Sequence, residues 1–276
     1  MIDIKQVRND FPMLHGKQMQ GCDLIYFDNA ATTFKPNAVR DAIDYYYTDM
    51  TCNAHRGDYD LSYRVDSAYE GARTKIARFL HAQSKEIVFT SGASESLNLV
   101  AWGYGRKFVR EGDIVLTSES EHASCVLPWM HVCQENGAIL SFMKLDAHGR
   151  IDVEALKQMM SEKVKVIALA MITNVLGHEA PIKEICALAH AYGAIVVVDG
   201  AQSVPHMPIN VTELDCDFLA FSGHKMCGPT GIGVLYGKYA LLDAMEPLTF
   251  GGGSNARYDM CGNILLKNPP FKFESG

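Results

Sequence analysis

The chain has 276 residues, of which 48% are hydrophobic and 21% are charged, and its formal net charge is −7. This composition is typical of a globular protein, and the acidic balance argues against a nucleic-acid partner because phosphate backbones require a basic surface. No apolar run reaches the roughly 18 residues of a membrane span, and the first residues resemble neither a signal peptide nor a transit sequence. We therefore expect a cytoplasmic protein without membrane or nucleic-acid partners.

The sequence contains eight cysteines, but they form no Cys-x-x-Cys pair and no Cys/His cluster with the spacing of metal ligands. Most of them lie in apolar or mixed segments, which favours buried free thiols over disulfides in a chain of this kind. We therefore expect no bound metal.

Apolar runs that predict β-strands recur along the chain, with helical patterns between them. The strand candidates are 24–27, 86–89, 113–116, 139–142, 164–171, 195–198 and 218–221, and 231–237 is a candidate for an additional antiparallel strand. The helix candidates are 66–79, 95–102, 152–160 and 181–193. This alternation predicts an α/β fold in which a mostly parallel sheet carries helices on both faces.

Two consecutive strand candidates each end at a chemically reactive side chain. Asp199 follows the β-branched run 195–198, which is typical of a strand buried on both faces, so its carboxylate needs a cation as partner. Lys225 follows the run 218–221, where loss of solvent would lower the pKa of its amine toward nucleophilic use. Because open α/β sheets bind ligands at the carboxyl ends of their strands, the pair suggests pyridoxal phosphate, with Asp199 at the ring nitrogen and Lys225 at the aldehyde. Taken singly, Asp199 is more typical of a turn and Lys225 of a solvated surface.

A glycine turn after the strand candidate 86–89 predicts an anion site. Residues 90–94 lead into the helix candidate 95–102, so free backbone amides and the helix dipole favour a phosphate there. Gly92 permits close backbone approach, and the Ser94 hydroxyl can donate a further hydrogen bond. The alternative is a serine N-cap with a nearby glutamate. Neither a Walker loop nor a dinucleotide-binding fingerprint is present.

Seven motifs, in the order of the chain, together resemble the class V aminotransferase family. Within that family, the chain is most similar to the cysteine desulfurases and selenocysteine lyases of the sulfur-mobilisation type. The resemblance rests on 26–32 (YFDNAAT), 53–57 (NAHRG), 90–95 (TSGASE), 121–122 (EH), 173–177 (TNVLG), 198–202 (VDGAQ) and 221–225 (FSGHK).

The resemblance implies fold type I of the pyridoxal phosphate enzymes, with a mostly parallel seven-stranded sheet flanked by helices, usually in a homodimer. It places residues 1–20 in the N-terminal segment of a small domain, 21–262 in the large cofactor-binding domain, and 263–276 at the start of the return to the small domain. That small domain would be incomplete in this chain. Its missing part would carry the persulfide-forming cysteine loop and the arginine that pairs with the substrate carboxylate.

Carried over position by position, the resemblance makes Lys225 and His122 the catalytic residues. Lys225 would hold the cofactor aldehyde and move the Cα proton, while His122 would stack on the ring. The implied cofactor contacts are Ala93, Ser94, His122, Asn174, Asp199, Gln202, Ser222, His224 and Lys225, and the implied substrate contacts are Ala30, Ala31, Arg56 and Asn174. From the residues alone, His122 could be a hydrogen-bonded strand-end histidine, Asn174 a turn residue and Arg56 a structural ion-pair partner.

The implied activity is that of a cysteine desulfurase. L-cysteine, or L-selenocysteine, would yield L-alanine, and the sulfur would pass to an enzyme cysteine for iron–sulfur cluster assembly or another acceptor or scaffold protein. No cysteine here matches that nucleophile. Cys227 is close to Lys225 in sequence, but its surroundings are more typical of packing beside a turn. We expect little sulfide release from this chain. The alternatives are another enzyme of the family, such as a transaminase or β-lyase, and a catalytically incompetent fragment that binds the cofactor or a partner chain.

Overall fold

The computed structural model describes residues 3–276. The strands are β1 (Gln18–Met19), β2 (Cys22–Asp23), β3 (Ile87–Thr90), β4 (Ile114–Ser118), β5 (Ile139–Met143), β6 (Val164–Ala170), β7 (Ile195–Asp199), β8 (Phe218–Ser222), β9 (Gly233–Gly237), β10 (Asn255–Tyr258) and β11 (Ile264–Leu266). The helices are α1 (Ile4–Asn9), α2 (Asn37–Asp49), α3 (Asp60–Leu80), α4 (Ala93–Val100), α5 (Arg106–Phe108), α6 (Ala123–Asn136), α7 (Val153–Met159), α8 (Ile182–Ala191), α9 (Val211–Leu214) and α10 (Tyr239–Ala244).

Seven of the strands form one mixed sheet in the order β3-β9-β8-β7-β6-β4-β5. The neighbouring pairs from β5 to β8 are parallel, while β9 runs antiparallel to both β3 and β8. The prediction of a mostly parallel, seven-stranded α/β sheet is therefore confirmed. The additional antiparallel strand predicted in 231–237 is β9.

Helices cover both faces of this sheet. One cluster of buried side chains joins α3, α7 and α8 to the sheet, and a second joins α4, α6 and α10 to it. Alternate residues of β7 enter the two clusters: Val196 and Val198 enter the first, and Ile195 and Val197 the second. Both faces of β7 are therefore shielded from water, as its continuous β-branched run predicts.

Residues 24–27 do not form the predicted strand. Ile25 and Phe27 are 76% and 92% exposed, so the apolar run does not enter the sheet. Local contacts fix the segment instead: the ring of Tyr26 stacks on Phe34 with centroids 4.4 Å apart, and its hydroxyl donates to the carbonyl of Thr32. An apolar run indicates hydrophobicity but does not reveal whether a sheet edge is available for pairing. Here β9 supplies the seventh strand.

The eight cysteines are free thiols, in agreement with the sequence prediction that disulfides are absent. Half of them are buried: Cys125, Cys133, Cys186 and Cys216. Within residues 3–276, no helix combines the length and apolar character needed to cross a membrane. In the same range, no group of three or more His, Cys, Asp or Glu side chains is arranged to hold a metal ion.

A buried ion pair joins α3 to the end of the chain. The guanidinium of Arg73, which is 1% exposed, donates to both carboxylate oxygens of Glu274 at 2.7 and 2.8 Å. It also donates to Glu70 at 3.0 Å and to the carbonyl of Ile87 at 2.8 Å, and Glu274 accepts from the backbone N–H of Phe89. Burial opposes the charge of Arg73, but the two glutamates outweigh it and raise its pKa. The pair ties α3, β3 and residues 271–274 into one unit.

We predict that Glu274→Gln destabilises the protein by about 3 kcal/mol, because it leaves the buried guanidinium of Arg73 without a full counter-charge. The free energy of unfolding in urea, followed by circular dichroism, measures this loss. Glu162→Gln, at an exposed glutamate, is the matched control and should change stability by less than about 0.5 kcal/mol. If the two substitutions changed the free energy of unfolding equally, the Arg73–Glu274 ion pair would not stabilise the protein as proposed.

Candidate active site

A cavity of about 380 Å³ lies at the carboxyl ends of β6, β7 and β8, beside the first turns of α4 and α6. This is the edge of an open α/β sheet at which ligands bind. It is lined by Ala30, Ala31, Ala93, Ser94, His122, Ser124, Ala170, Ile172, Asn174, Asp199, Ala201, Gln202, Ser222, His224 and Lys225. The structure therefore brings together the site residues predicted from the sequence, with the exception of Arg56.

The carboxylate of Asp199 is buried but only partly satisfied. It is 6% exposed, and its Oδ1 accepts a hydrogen bond from the backbone N–H of Ala201 at 2.9 Å. Among residues 3–276, none donates a hydrogen bond to Oδ2. Burial raises the pKa of Asp199, whereas the Ala201 N–H and the charges of Lys225 and His122 oppose this rise. A cationic N–H group in the cavity would satisfy Oδ2 and hold the carboxylate ionised.

Lys225 ends a short 3-10 turn, Gly223–Lys225, that follows β8. Burial lowers the pKa of its amine, and the charge of Asp199 partly opposes that shift. No acceptor within the described part of the chain forms a hydrogen bond or ion pair with the amine. The turn itself is anchored, because the carbonyl of His224 accepts from the N–H and the hydroxyl of Thr33, at 3.0 and 2.9 Å, and from Lys35. A fixed, partly desolvated and unpaired amine is suited to act as a nucleophile.

The first turn of α4 offers hydrogen-bond donors to an anion. Helix α4 begins at Ala93, whose backbone N–H donates to the Ser222 hydroxyl at 2.8 Å, so the proton of that hydroxyl remains available to donate to an anion. The hydroxyls of Ser94 and Ser124 lie 2.7 Å apart at the cavity wall. The positive end of the helix dipole and two neighbouring hydroxyls therefore face the same space, as a phosphate site requires.

Gly233 allows this turn to lie directly against the sheet. A methyl group at Gly233, the first residue of β9, would lie 2.3 Å from the Cα of Gly92. Only a residue without a side chain fits at Gly233. The close approach predicted for Gly92 is thus to a strand of the protein.

The amide of Gln202 is held in one orientation. Its Nε2 donates to the carbonyl of Ala30 at 2.8 Å and to the Oδ1 of Asn174. Both neighbours line the cavity. The two bonds therefore join the segment around Ala30, the 172–174 loop and the turn after β7. Because both bonds use the Gln202 nitrogen, its Oε1 remains available to accept a hydrogen bond from a ligand.

His122 lies at the N-terminus of α6 and lines the same cavity. Its Nδ1 accepts from the backbone N–H of Ser124 at 3.2 Å, which assigns the ring proton of the neutral form to Nε2. The sequence left open whether His122 is a hydrogen-bonded histidine or a site residue. In the structure it caps a helix and also borders the cavity.

Sequence reasoning missed several lining residues. Ser124 carries a recognisable signal, since it lies two positions after His122 in the first turn of a helix. Ile172 and Ala201 carry none, because apolar residues beside buried strands are equally expected in a core. Only the arrangement of the loops places their side chains at the cavity wall.

Arg56 and Cys227 lie outside this cavity. Arg56 lines a separate cavity of about 80 Å³ together with His55 and Lys267, so its predicted substrate contact stays a prediction. Cys227 lines an apolar cavity beside the N-terminal segment, and its backbone N–H donates to the hydroxyl of Thr33 at 2.8 Å. This position agrees with a packing role for the thiol.

The residues of the cavity fit pyridoxal phosphate. Asp199 leaves an acceptor open for a protonated ring nitrogen, Lys225 offers an unpaired amine for an aldehyde, and the first turn of α4 offers donors to a phosphate. The three groups line one volume of small-molecule size.

Comparisons with known proteins identify the family of the chain. Residues 25–276 match the sequence profile of the family described as Aminotransferase class-V. A probable cysteine desulfurase of Halalkalibacterium halodurans is 48% identical over 274 residues, and the match covers 98% of this chain and 66% of that protein. The chain thus spans about two thirds of the length of this relative.

Two solved structures are similar over the whole chain. A cysteine desulfurase of Escherichia coli in an S-sulfonic acid form has a TM-score of 0.90 and 38% identity, covering 100% of this chain and 68% of that one. The apo cysteine desulfurase of Thermococcus onnurineus NA1 has a TM-score of 0.92 and 41% identity, covering 100% and 67%. The sheet is that of the fold type I pyridoxal phosphate enzymes, and the chain belongs to the class-V aminotransferase family.

Proposed function

We propose that the chain is the cofactor-binding part of a pyridoxal phosphate-dependent cysteine desulfurase, which converts L-cysteine to L-alanine and transfers the sulfur to an enzyme thiol. The observation that carries the proposal is the convergence of Asp199, Lys225 and the start of α4 on one cavity. Relatives that are 38 to 48% identical carry the name cysteine desulfurase, which supports the choice of reaction within the family.

Each group in the cavity has a proposed task. Asp199 holds the proton on the ring nitrogen, and the α4 amides with Ser94 hold the phosphate. Pyridoxal phosphate supplies an aldehyde that an amine can hold and a ring that accepts the electrons released at Cα. Lys225, with its lowered pKa, would take up the proton that leaves the substrate Cα. His122 covers the ring and orients it, and Gln202 accepts from the ring hydroxyl.

The remaining cofactor and substrate contacts follow from the same cavity. Ser222 and His224 are proposed to complete the phosphate site, together with Ala93. Asn174 and the backbone of Ala30 and Ala31 are proposed to border the substrate, since they line the cavity on the side of the Gln202 amide. Arg56 is proposed to reach the substrate entrance from its separate cavity.

The sulfur-accepting thiolate is proposed to come from outside these 276 residues. None of the eight cysteines, all of which lie in the described part, lines the cavity of Lys225. In the proposed step the thiolate attacks the substrate sulfur, an S–S bond forms and the Cβ–S bond breaks. The electron pair returns to the substrate skeleton, which is protonated to L-alanine. The product is an enzyme persulfide.

The proposal also covers the oligomeric state, the cellular location and the domain boundaries of the protein. We propose a cytoplasmic homodimer that delivers sulfur to an iron–sulfur scaffold or another acceptor protein, with L-selenocysteine as a second substrate to assay. Support for an interface comes from α2, which buries none of its residues in this chain and exposes Ile43, Tyr45 and Tyr47. We also propose that residues 1–20 and 263–276 belong to a small domain and 21–262 to the large domain.

We predict that Lys225→Ala abolishes covalent binding of pyridoxal phosphate, because no other amine lines the described cavity. Titration with the cofactor should give a visible absorbance band in the unmodified protein, and borohydride should fix the cofactor on the peptide that contains Lys225. Lys163→Ala, at an exposed lysine, is the control and should retain both signals. A band of equal intensity in the Lys225 variant would overturn the cofactor assignment.

We predict that Asp199→Asn weakens cofactor binding about tenfold or more, since a charge-assisted hydrogen bond to the ring nitrogen becomes a neutral one. Asparagine keeps the shape of aspartate and the acceptor for the Ala201 N–H, so folding should be preserved. The dissociation constant from a fluorescence titration measures the effect. Asp243→Asn, at an exposed aspartate on α10, is the control, and an unchanged constant in the Asp199 variant would count against the proposal.

We predict that the chain loaded with cofactor releases little sulfide from L-cysteine under reductant, and that Cys227→Ala leaves this rate unchanged. Sulfide assays and chromatography of the products test both statements. Stoichiometric alanine and sulfide in a longer form of the protein would support desulfuration. Keto acid without alanine would instead indicate a transaminase or β-lyase.

A further inference from the structure

Glu121 is a carboxylate beneath the cavity that the proposed reaction does not use. It lies in the short loop between β4 and α6, directly before His122, and is not itself a lining residue. Its Oε1 accepts from the hydroxyl of Ser118 at 2.6 Å, and its Oε2 accepts from the backbone N–H of Ala170 at 2.5 Å. Both carboxylate oxygens are therefore directed into the protein, toward the ends of two strands.

These two bonds tie the loop that carries His122 to the ends of two neighbouring strands of the sheet. Ser118 is the last residue of β4, and Ala170 is the last residue of β6. Ala170 lines the cavity and pairs in register with Asp199 on β7. The residue after Glu121 is His122, whose ring borders the same space. One carboxylate thus connects the backbone that carries the imidazole to the strand beside the buried Asp199.

The charge of Glu121 is costly at this position. Burial raises the pKa of its carboxyl to about 7, the bonds from Ser118 and Ala170 oppose the rise, and the charge of Asp199 adds to it. The ionisable groups around it are Asp199 on β7, His122 on its own loop, Cys125 on α6 and, through Asp199, Lys225 after β8. A neutral amide of the same shape could accept from the Ala170 N–H through its oxygen and donate to the Ser118 hydroxyl through its nitrogen, without this cost.

We propose that Glu121 is a positioning residue, which fixes the backbone of His122 against the end of β6 so that the cofactor ring is held in one orientation between the imidazole and Asp199. The inference rests on the proposed function, because the ring is that of pyridoxal phosphate. It assigns to Glu121 no contact with the cofactor or the substrate. Its effect passes through two hydrogen bonds and the peptide bond to His122.

The test uses Glu121→Ala and Glu121→Gln in the full chain loaded with pyridoxal phosphate. The readout is visible circular dichroism per bound cofactor, because a fixed ring gives a strong signal and a loosely held ring gives a weak one. We expect Glu121→Ala to reduce this ratio at least about twofold and to raise the dissociation constant about tenfold, which corresponds to about 1.4 kcal/mol. Glu121→Gln can still accept from the Ala170 N–H and can donate to the Ser118 hydroxyl, so it should retain most of the signal.

Glu119→Gln is the matched control, since Glu119 lies in the same loop and is exposed. If Glu121→Ala does not fold, Ser118→Ala removes one of the two bonds and should produce a smaller loss of the same signal. An unchanged dichroism ratio in Glu121→Ala would assign Glu121 a merely structural role and overturn the inference, even if the variant is less stable. If Glu121→Ala does not fold, an unchanged ratio in Ser118→Ala has the same meaning. Failure of the proposed function is distinguishable, because the unmodified protein would then show no cofactor band.

Discussion

Asp199 is a carboxylate at the end of a strand that is buried on both faces, and its charge has to be balanced inside the protein. Within residues 3–276, this carboxylate has one backbone N–H and the more distant charges of Lys225 and His122, and no cation forms an ion pair with it. A carboxylate removed from water is costly without a partner. A cationic group of a ligand would therefore stabilise the ionised carboxylate at this position. The other polar groups of the cavity lie around the space that such a ligand would occupy.

Parallel strand order determines which groups can meet that requirement. Because β6, β7 and β8 are adjacent and parallel, their carboxyl ends deliver Ala170, Asp199 and Ser222 to one edge. The turn after β8 then carries Lys225 back over the same edge, and Thr33 anchors that turn through the carbonyl of His224. The segment that contains Thr33 thus contributes to the site although it lies outside the sheet. A site of this kind needs a rigid scaffold, because small displacements of the reacting groups lower the reaction rate strongly.

Much of the architecture was predictable from local patterns. The alternation of apolar runs and helical segments predicts the mostly parallel sheet, and the β-branched run before Asp199 predicts a fully buried strand. The run 24–27 shows the limit of such reasoning, because pairing depends on a free sheet edge that no local pattern reveals. Arg56 shows a second limit. Its motif predicts a substrate contact, which stays a prediction because the residue lines a separate cavity in this chain.

The sequence by itself determined the seven strands of the large sheet, the reactive residues at or after the ends of two of them and, through the order of its motifs, the class-V aminotransferase resemblance. Only the tertiary structure decided which polar groups share one cavity and which partners they leave open. The free Oδ2 of Asp199, the fixed amide of Gln202 and the inward carboxylate of Glu121 belong to this second kind. The physical reason is that burial and hydrogen-bond partners depend on residues far apart in the chain. Loops separated by about 50 to 170 positions in sequence meet here at hydrogen-bond distance.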